Sequence, residues 1–246
     1  VAIYNGKTGK KIGEREDWRQ RPCASTDGWL FAPAGDEDEQ EGYRLEAFHL
    51  FKPEPIWIKR NVYAPVAASQ GRVFAALMVP VKFPRNAAIP RHVSKFRKGL
   101  CCLDLEGQVI WKRTDITLSE RYEPPMALAG GRIFVNAQKP KDETGRYRTA
   151  IESLDTATGK TLGQAGVGGH PRVAGDVLYL LGDDRFFALS VKDGKTLWHA
   201  RKLGKYDLGE GVKRGPVIAQ GMVFVSNDKR LLSLEPMRLG RDVRKR

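Results

Sequence analysis

The stretch from 168 to 200, GGHPRVAGDVLYLLGDDRFFALSVKDGKTLWHA, constrains the fold more than any other part of the chain. Arg172 to Ala174 is a short apolar lead-in, and Val177 to Leu181 is a β-rich run behind a Gly-Asp turn. Phe186 to Ser190 is a second such run, and Thr196 to His199 a third that carries Trp198. Lys192-Asp193-Gly194-Lys195 between the last two is a hairpin signal. Four antiparallel strands within one such unit describe a blade of a β-propeller.

The unit recurs. Its opening half returns behind Pro22, Pro65, Pro125, Pro171 and Pro216, spaced 43, 60, 46 and 45 residues apart. Each copy reads proline, small apolar residues, a glycine turn, then a β-branched or aromatic pair. The closing half returns at Tyr4–Lys10, Leu103–Trp111, Leu154–Leu162 and Leu189–Trp198, with a degraded copy at Phe48–Trp57 that has Pro53 and Pro55 in place of the turn. A fixed period of this length signals stacked or radially arranged units, none of which can bury both faces alone. The residues of the closing half are structural. Asp or Thr can hydrogen-bond turn backbone, Gly supplies positive φ, and Trp57, Trp111 and Trp198 offer flat rings for packing against the next blade.

The pattern Leu-Asp-x-x-Thr-Gly-Lys-x-x-Trp resembles the tryptophan-docking repeat of the pyrroloquinoline-quinone (PQQ) propeller superfamily, over nearly the whole chain. The resemblance implies an all-β propeller, and it is closest in style to the non-enzymatic members. Complete blades are expected at about 22–60, 65–114, 125–163 and 171–200. Partial ones are expected at 1–13 and 216–236, with a basic tail at 237–246. The chain then reads as an arc of a larger ring, of seven or eight blades by resemblance. No signal peptide is read at the start, and Val1–Tyr4 reads as a strand. The resemblance implies an extracytoplasmic setting.

The net charge of +13 bears on partners. The 60-residue repeat carries an insertion, Met78 to Gly99, with Lys82, Arg85, Arg91, His92, Lys95, Arg97 and Lys98 and no acid. It is expected to be a loop between the second and third strands. Arg85, Arg91, His92, Lys95, Arg97 and Lys98 are the candidate partner-binding residues, for a protein, an anionic polymer or a surface; a solvated loop pinned by its apolar residues is the structural alternative. Residues 137–149 are expected to form a second polar hairpin loop, and 199–215 a long basic link. The acidic run Asp36–Glu39 lacks EF-hand spacing and reads as solvated. Residues 13–21 form a charged link in which Trp18 reads as a packing residue.

No motif of nucleophilic, zinc or phosphate chemistry occurs, so no catalytic or metal-binding residue is assigned. His170, at the start of a blade, is the histidine nearest the expected channel mouth. Cys101 and Cys102 fall inside a strand pattern, where neighbouring side chains point to opposite faces, and read as small core residues. The third cysteine, Cys23, leaves an odd number and no disulfide framework. The leading expectation is a non-catalytic binding or scaffold module. A fragment of a quinoprotein oxidoreductase, which would need PQQ with calcium, and a nucleic-acid or anionic-polymer binder are the alternatives. No membrane-spanning apolar run is present.

Overall fold

The computed structural model describes residues 2–4, 8, 10–14, 24–35, 42–49, 52, 54–81, 96–119, 126–141, 147–182, 185–200, 202–203, 206–207, 216–219, 222–227 and 230–234. Among them every regular element is a strand. A two-stranded sheet, β1 (Ala2–Tyr4) with β2 (Lys11–Glu14), comes first. The first four-stranded blade holds β3 (Ala24–Thr26), β4 (Trp29–Ala34), β5 (Arg44–His49) and β6 (Trp57–Arg60). The second holds β7 (Val62–Ser69), β8 (Arg72–Pro80), β9 (Phe96–Asp104) and β10 (Val109–Arg113). The third holds β11 (Met126–Ala129), β12 (Arg132–Lys141), β13 (Tyr147–Asp155) and β14 (Thr161–Ala165). The fourth holds β15 (His170–Ala174), β16 (Val177–Leu181), β17 (Phe186–Ser190) and β18 (Thr196–Ala200). A short ladder, β19 (Lys202–Leu203) with β20 (Tyr206–Asp207), precedes a three-stranded sheet of β21 (Val217–Ala219), β22 (Met222–Asn227) and β23 (Arg230–Leu234). All pairings are antiparallel between sequence neighbours, which is the sheet content of a partial β-propeller.

The turns explain the regularity. Asp27-Gly28, Gln70-Gly71 and Gly130-Gly131 have positive φ at both residues (49 and 81°, 52 and 69°, 54 and 69°), as the tight hairpin that suits strand twist requires. Pro65 falls inside β7, where the register to β8 slips between Tyr63 and Val66. Proline cannot donate to a ladder, and an edge strand with a bulge accommodates it. Pro171 likewise sits in β15, at the edge of its sheet. The hairpin degraded by Pro53 and Pro55 still closes, through Lys52 N–H to His49 O at 2.9 Å and Ile56 N–H to Ala47 O at 2.7 Å.

The outer strands of the second, third and fourth blades carry an irregularity at one repeat position, whereas β6 pairs with β5 in unbroken register. Ladder partners jump across Ile110 in β10, across Leu162 in β14 and across Leu197 in β18. Each skipped residue is apolar and exposed (44, 48 and 39%). The residue that follows is Trp111, Gly163 or Trp198, respectively.

The chain divides into two compact units, Val1–Leu118 with Ala157–Gly159, and the remainder. In the first, Phe31, Leu45, Val62, Val73, Ala75, Cys101 and Leu103 form the core, with Trp29 and Trp57 packed against it. In the second, Phe134, Ile151, Leu178, Leu180, Leu189 and Val191 do so. Both cores are built from facing blades, as burial of two-sided sheets requires.

Three expectations need correction. The insertion does not begin at Met78: β8 and β9 stay paired to Pro80–Phe96, so Arg97 and Lys98 belong to a strand. The loop expected at 137–149 is shorter, because β12 and β13 pair out to Lys141 and Tyr147. The link 199–215 opens with the end of β18 and contains the β19–β20 ladder. In each case, polar composition suggested a loop where ladder hydrogen bonds, indifferent to side-chain polarity, carry the strand onward.

Candidate functional site

The candidate partner-binding residues divide into two sets. Arg85, Arg91, His92 and Lys95 lie outside the described residues. Arg97 and Lys98 stand on β9 opposite Val79 and Met78. The Arg97 guanidinium donates to the carbonyl oxygen of Thr114, to that of Ile116 (3.4 Å) and to the hydroxyl of Thr117 (3.3 Å). Leu118 N–H donates to the Lys98 carbonyl at 2.7 Å. The planar donor fork of arginine suits this convergence of oxygens. Arg97 therefore fastens the segment leaving β10.

Two further features surround this hairpin end. Tyr43, Tyr63 and Phe96 form an aromatic cluster, with Tyr43–Tyr63 centroids 4.9 Å apart and Tyr43–Phe96 5.9 Å apart, both edge-on. Arg113 grips Asp115 with two parallel bonds, Nε to Oδ1 at 2.7 Å and Nη2 to Oδ2 at 2.6 Å, and donates from Nη1 to Gly159 O at 2.7 Å. The Arg113 hydrogen bond holds the Asp115 carboxyl below the usual carboxylate range. The root of the basic insertion is thus a braced strand end with aromatic and ionic ties.

Two of the repeat tryptophans, Trp57 and Trp111, lie over a glycine turn of the following four-stranded sheet. Trp57 Nε1–H donates to Leu105 O at 2.6 Å, and its ring covers Gly107, where a Cβ would lie 2.9 Å from the indole. Trp111 covers Gly159 in the same way, at 2.7 Å, and tilts against Phe74 at 5.9 Å. Trp198 tilts against Phe186 at 5.5 Å. Glycine is required beneath the two covered positions both by their positive φ (79 and 71°) and by the ring above.

Cys101 and Cys102 are free thiols buried on β9. Burial pushes both up from 9.0 to about 12, so neither is a ready nucleophile. His170 opens β15 opposite Leu181. His49 stands edge-on to Trp29 at 6.0 Å, and His199 lies beside Phe187 at 5.9 Å. Among the described residues no group of three or more His, Cys, Asp or Glu could hold a metal ion. No helix among them is long and apolar enough to cross a membrane. Cys23, Trp18 and Asp36–Glu39 lie outside the described residues.

Sequence reading missed Asn136. It is fully buried, and its side-chain amide donates to Gly169 O while its Oδ1 accepts from Gly169 N–H at 3.1 Å. Its backbone carbonyl accepts from Ser119 N–H at 2.9 Å. The signal was available: one amide interrupts the apolar run Ile133-Phe-Val-Asn-Ala137. Arg172 and Tyr179, opposed across β15 and β16, were also unremarked. Burial lowers the Arg172 guanidinium and raises the Tyr179 phenol.

The four-stranded antiparallel blades and their tight turns define a partial β-propeller built of repeated units. Residues 147–238 match the family model described as outer membrane protein assembly factor BamB. No curated protein matches the chain. Among solved structures, the quinohemoprotein alcohol dehydrogenase ADHIIG from Pseudomonas putida HK5 is similar with a TM-score of 0.52 and 14% identity, over 88% of this chain and 39% of that one. The computationally designed Ika8 protein is similar at 0.48 and 10%, over 93% and 75%. Apo AztD from Citrobacter koseri is similar at 0.44 and 13%, over 87% and 68%. The chain spans 39% of the dehydrogenase, and that likeness is one of fold.

Proposed function

We propose that the protein is a non-catalytic propeller module that binds a partner protein through the basic insertion between β8 and β9. The observation that carries this reading is the built root of the insertion. Arg97 ties β9 to the carbonyls of 114–116, and Tyr43, Tyr63 and Phe96 pack beside it. A rigid strand pair thereby presents a stretch with Lys82, Arg85, Arg91, His92 and Lys95 and no acid. Positively charged loops on a rigid scaffold steer and orient acidic partners. The setting is extracytoplasmic, on the strength of the PQQ-like repeat and the family model for an outer membrane assembly factor.

The test replaces Arg85, Arg91 and Lys95 by glutamine and keeps Arg97, whose removal would loosen the fold. A photo-crosslinker at position 92 should yield one dominant protein adduct in the native host, and the triple variant should lose it at least ten-fold. Retention of the adduct in the variant rejects the basic insertion as the contact. Capture of nucleic acid instead, with affinity falling steeply as salt rises, would replace the reading by a polyanion binder. Saturable, calcium-dependent PQQ binding with dye reduction would replace it by an oxidoreductase.

A further inference from the structure

Two seams of this molecule hold an indole, and a third lacks one. In the first, Trp57 covers Gly107; in the second, Trp111 covers Gly159. Both glycines are buried beneath their rings. The repeat register identifies the corresponding pair in the next seam. Trp111 is the residue after the irregular Ile110 and pairs with Cys102, which precedes Leu103. Gly163 is the residue after the irregular Leu162 and pairs with Ser153, which precedes Leu154. Gly163 therefore stands where the tryptophan stands. The covered turn glycines follow Leu103-Asp104 and Leu154-Asp155; Gly194 follows Leu189-Ser190 and has the same positive φ, 73° against 79 and 71°.

The surroundings differ in one respect. A Cβ on Gly107 or Gly159 would collide with an indole, whereas a Cβ on Gly163 or on Gly194 meets no heavy atom within 4 Å. Leu162, the chain neighbour of Gly163, is exposed, as is Leu197, and the buried Val191 occupies the position of Leu105, whose carbonyl accepts the Trp57 indole N–H. The outer strand here, Thr161-Leu-Gly-Gln-Ala165, also carries no charge, while β6 and β10 each carry two basic residues. A position that its sister sites fill with a ring is filled by none of the described residues.

We infer that the notch between Gly163 and Gly194 is a docking site for a tryptophan side chain of a partner polypeptide. The two filled seams specify the occupant: a flat ring laid on a glycine turn, with the N–H directed at a turn carbonyl as that of Trp57 is. Aromatic anchors that become desolvated on docking dominate protein recognition energetics. This inference uses a different surface from the basic insertion and stands apart from it.

The probe is N-acetyl-tryptophanamide, titrated into the full chain and followed by amide NMR, with N-acetyl-leucinamide as control. The expected result is a saturable shift confined to residues 161–164 and 190–195, at least ten-fold weaker for the leucine amide. Gly163→Trp should fill the slot from within, abolish the response and raise Tm by about 2–4 °C, the change that about 1 kcal/mol produces in a domain of this size. Shifts elsewhere, no saturation, or an undiminished response in Gly163→Trp would overturn the inference. A lower Tm for Gly163→Trp would show that the notch is not shaped for an indole. The wild-type shift map decides the matter alone if that variant does not fold. A concentration-dependent dimer lost in Gly163→Trp would assign the slot to a second copy and overturn the partner assignment.

Discussion

The second and third blades secure the segment that leaves their outer strand by opposite chemical means. In the second, Arg97 reaches out to Thr114, Ile116 and Thr117, and the contact is half-exposed. In the third, fully buried Asn136 takes both the N–H and the C=O of Gly169. The environment decides which residue serves. A guanidinium keeps part of its hydration at a rim, whereas the same charge in the interior would pay heavily for desolvation. A neutral amide has one donor group and one acceptor, which match one peptide unit and leave nothing orphaned. The backbone beyond is glycine at 168 and 169, because a Cβ there would lie 2.1 Å from the Thr149 hydroxyl and 2.8 Å from the Leu181 backbone.

The contrast can be broken first by labelling. The two buried thiols lie in the second blade, so in a Cys23→Ala background a disulfide reagent reports on opening of that blade. Native labelling should be slower than that of the unfolded chain by at least a hundred-fold, since roughly 3 kcal/mol of opening alone gives that factor. Arg97→Met should speed it, and Asn136→Leu should speed it less than its cost in stability implies. Equal acceleration would show that the two blades open as one. Next in size, Asn136→Leu should cost about 3 kcal/mol by chemical denaturation, since Gly169 would be left with two buried, unpaired backbone groups. Arg97→Met should cost about 1–2 kcal/mol, and Arg97→Lys should recover only part of it. Stability should also fall as pH rises from about 9 towards 12. The thiols are held neutral in the folded chain at about 12 and ionise near 9.0 when unfolded, so the unfolded state sheds protons first. Replacing Cys101 and Cys102 by alanine should remove that part of the alkaline slope. The smallest effect belongs to Asp115→Asn, at most about 0.5 kcal/mol at neutral pH because the carboxyl is largely exposed. Its contribution is present above the ordinary carboxylate range and is lost as pH falls through the lowered value.

The blades were legible because their cause is local. Gln70-Gly71 and Gly130-Gly131 can hardly be anything but tight hairpin turns, and Val177–Leu181 against Phe186–Ser190 needs no partner information to pair. Hairpin length was not legible. Arg97, Lys98 and Gln138 look like loop residues, yet they sit in ladders whose bonds come from the backbone. Of the candidate site, the sequence pointed to the basic stretch and could not reveal that Arg97 is spent on an internal tie. Nor could it show the empty seam, because a glycine at 163 becomes meaningful only when the indoles at 57 and 111 are seen covering their turns.

The irregular residue in β10, β14 and β18 has a consequence for how the chain behaves in a crowd. Sheet edges invite edge-to-edge growth into fibres, and β10, β14 and β18 each stand at an edge of their sheet. Skipping Ile110, Leu162 or Leu197 breaks the even spacing of donors and acceptors that an incoming backbone would have to match. The edges are thereby spoiled as templates for polymerisation while their apolar side chains stay on display. At these three edges contacts fall to side-chain knobs, which favour a finite complex over an open-ended one.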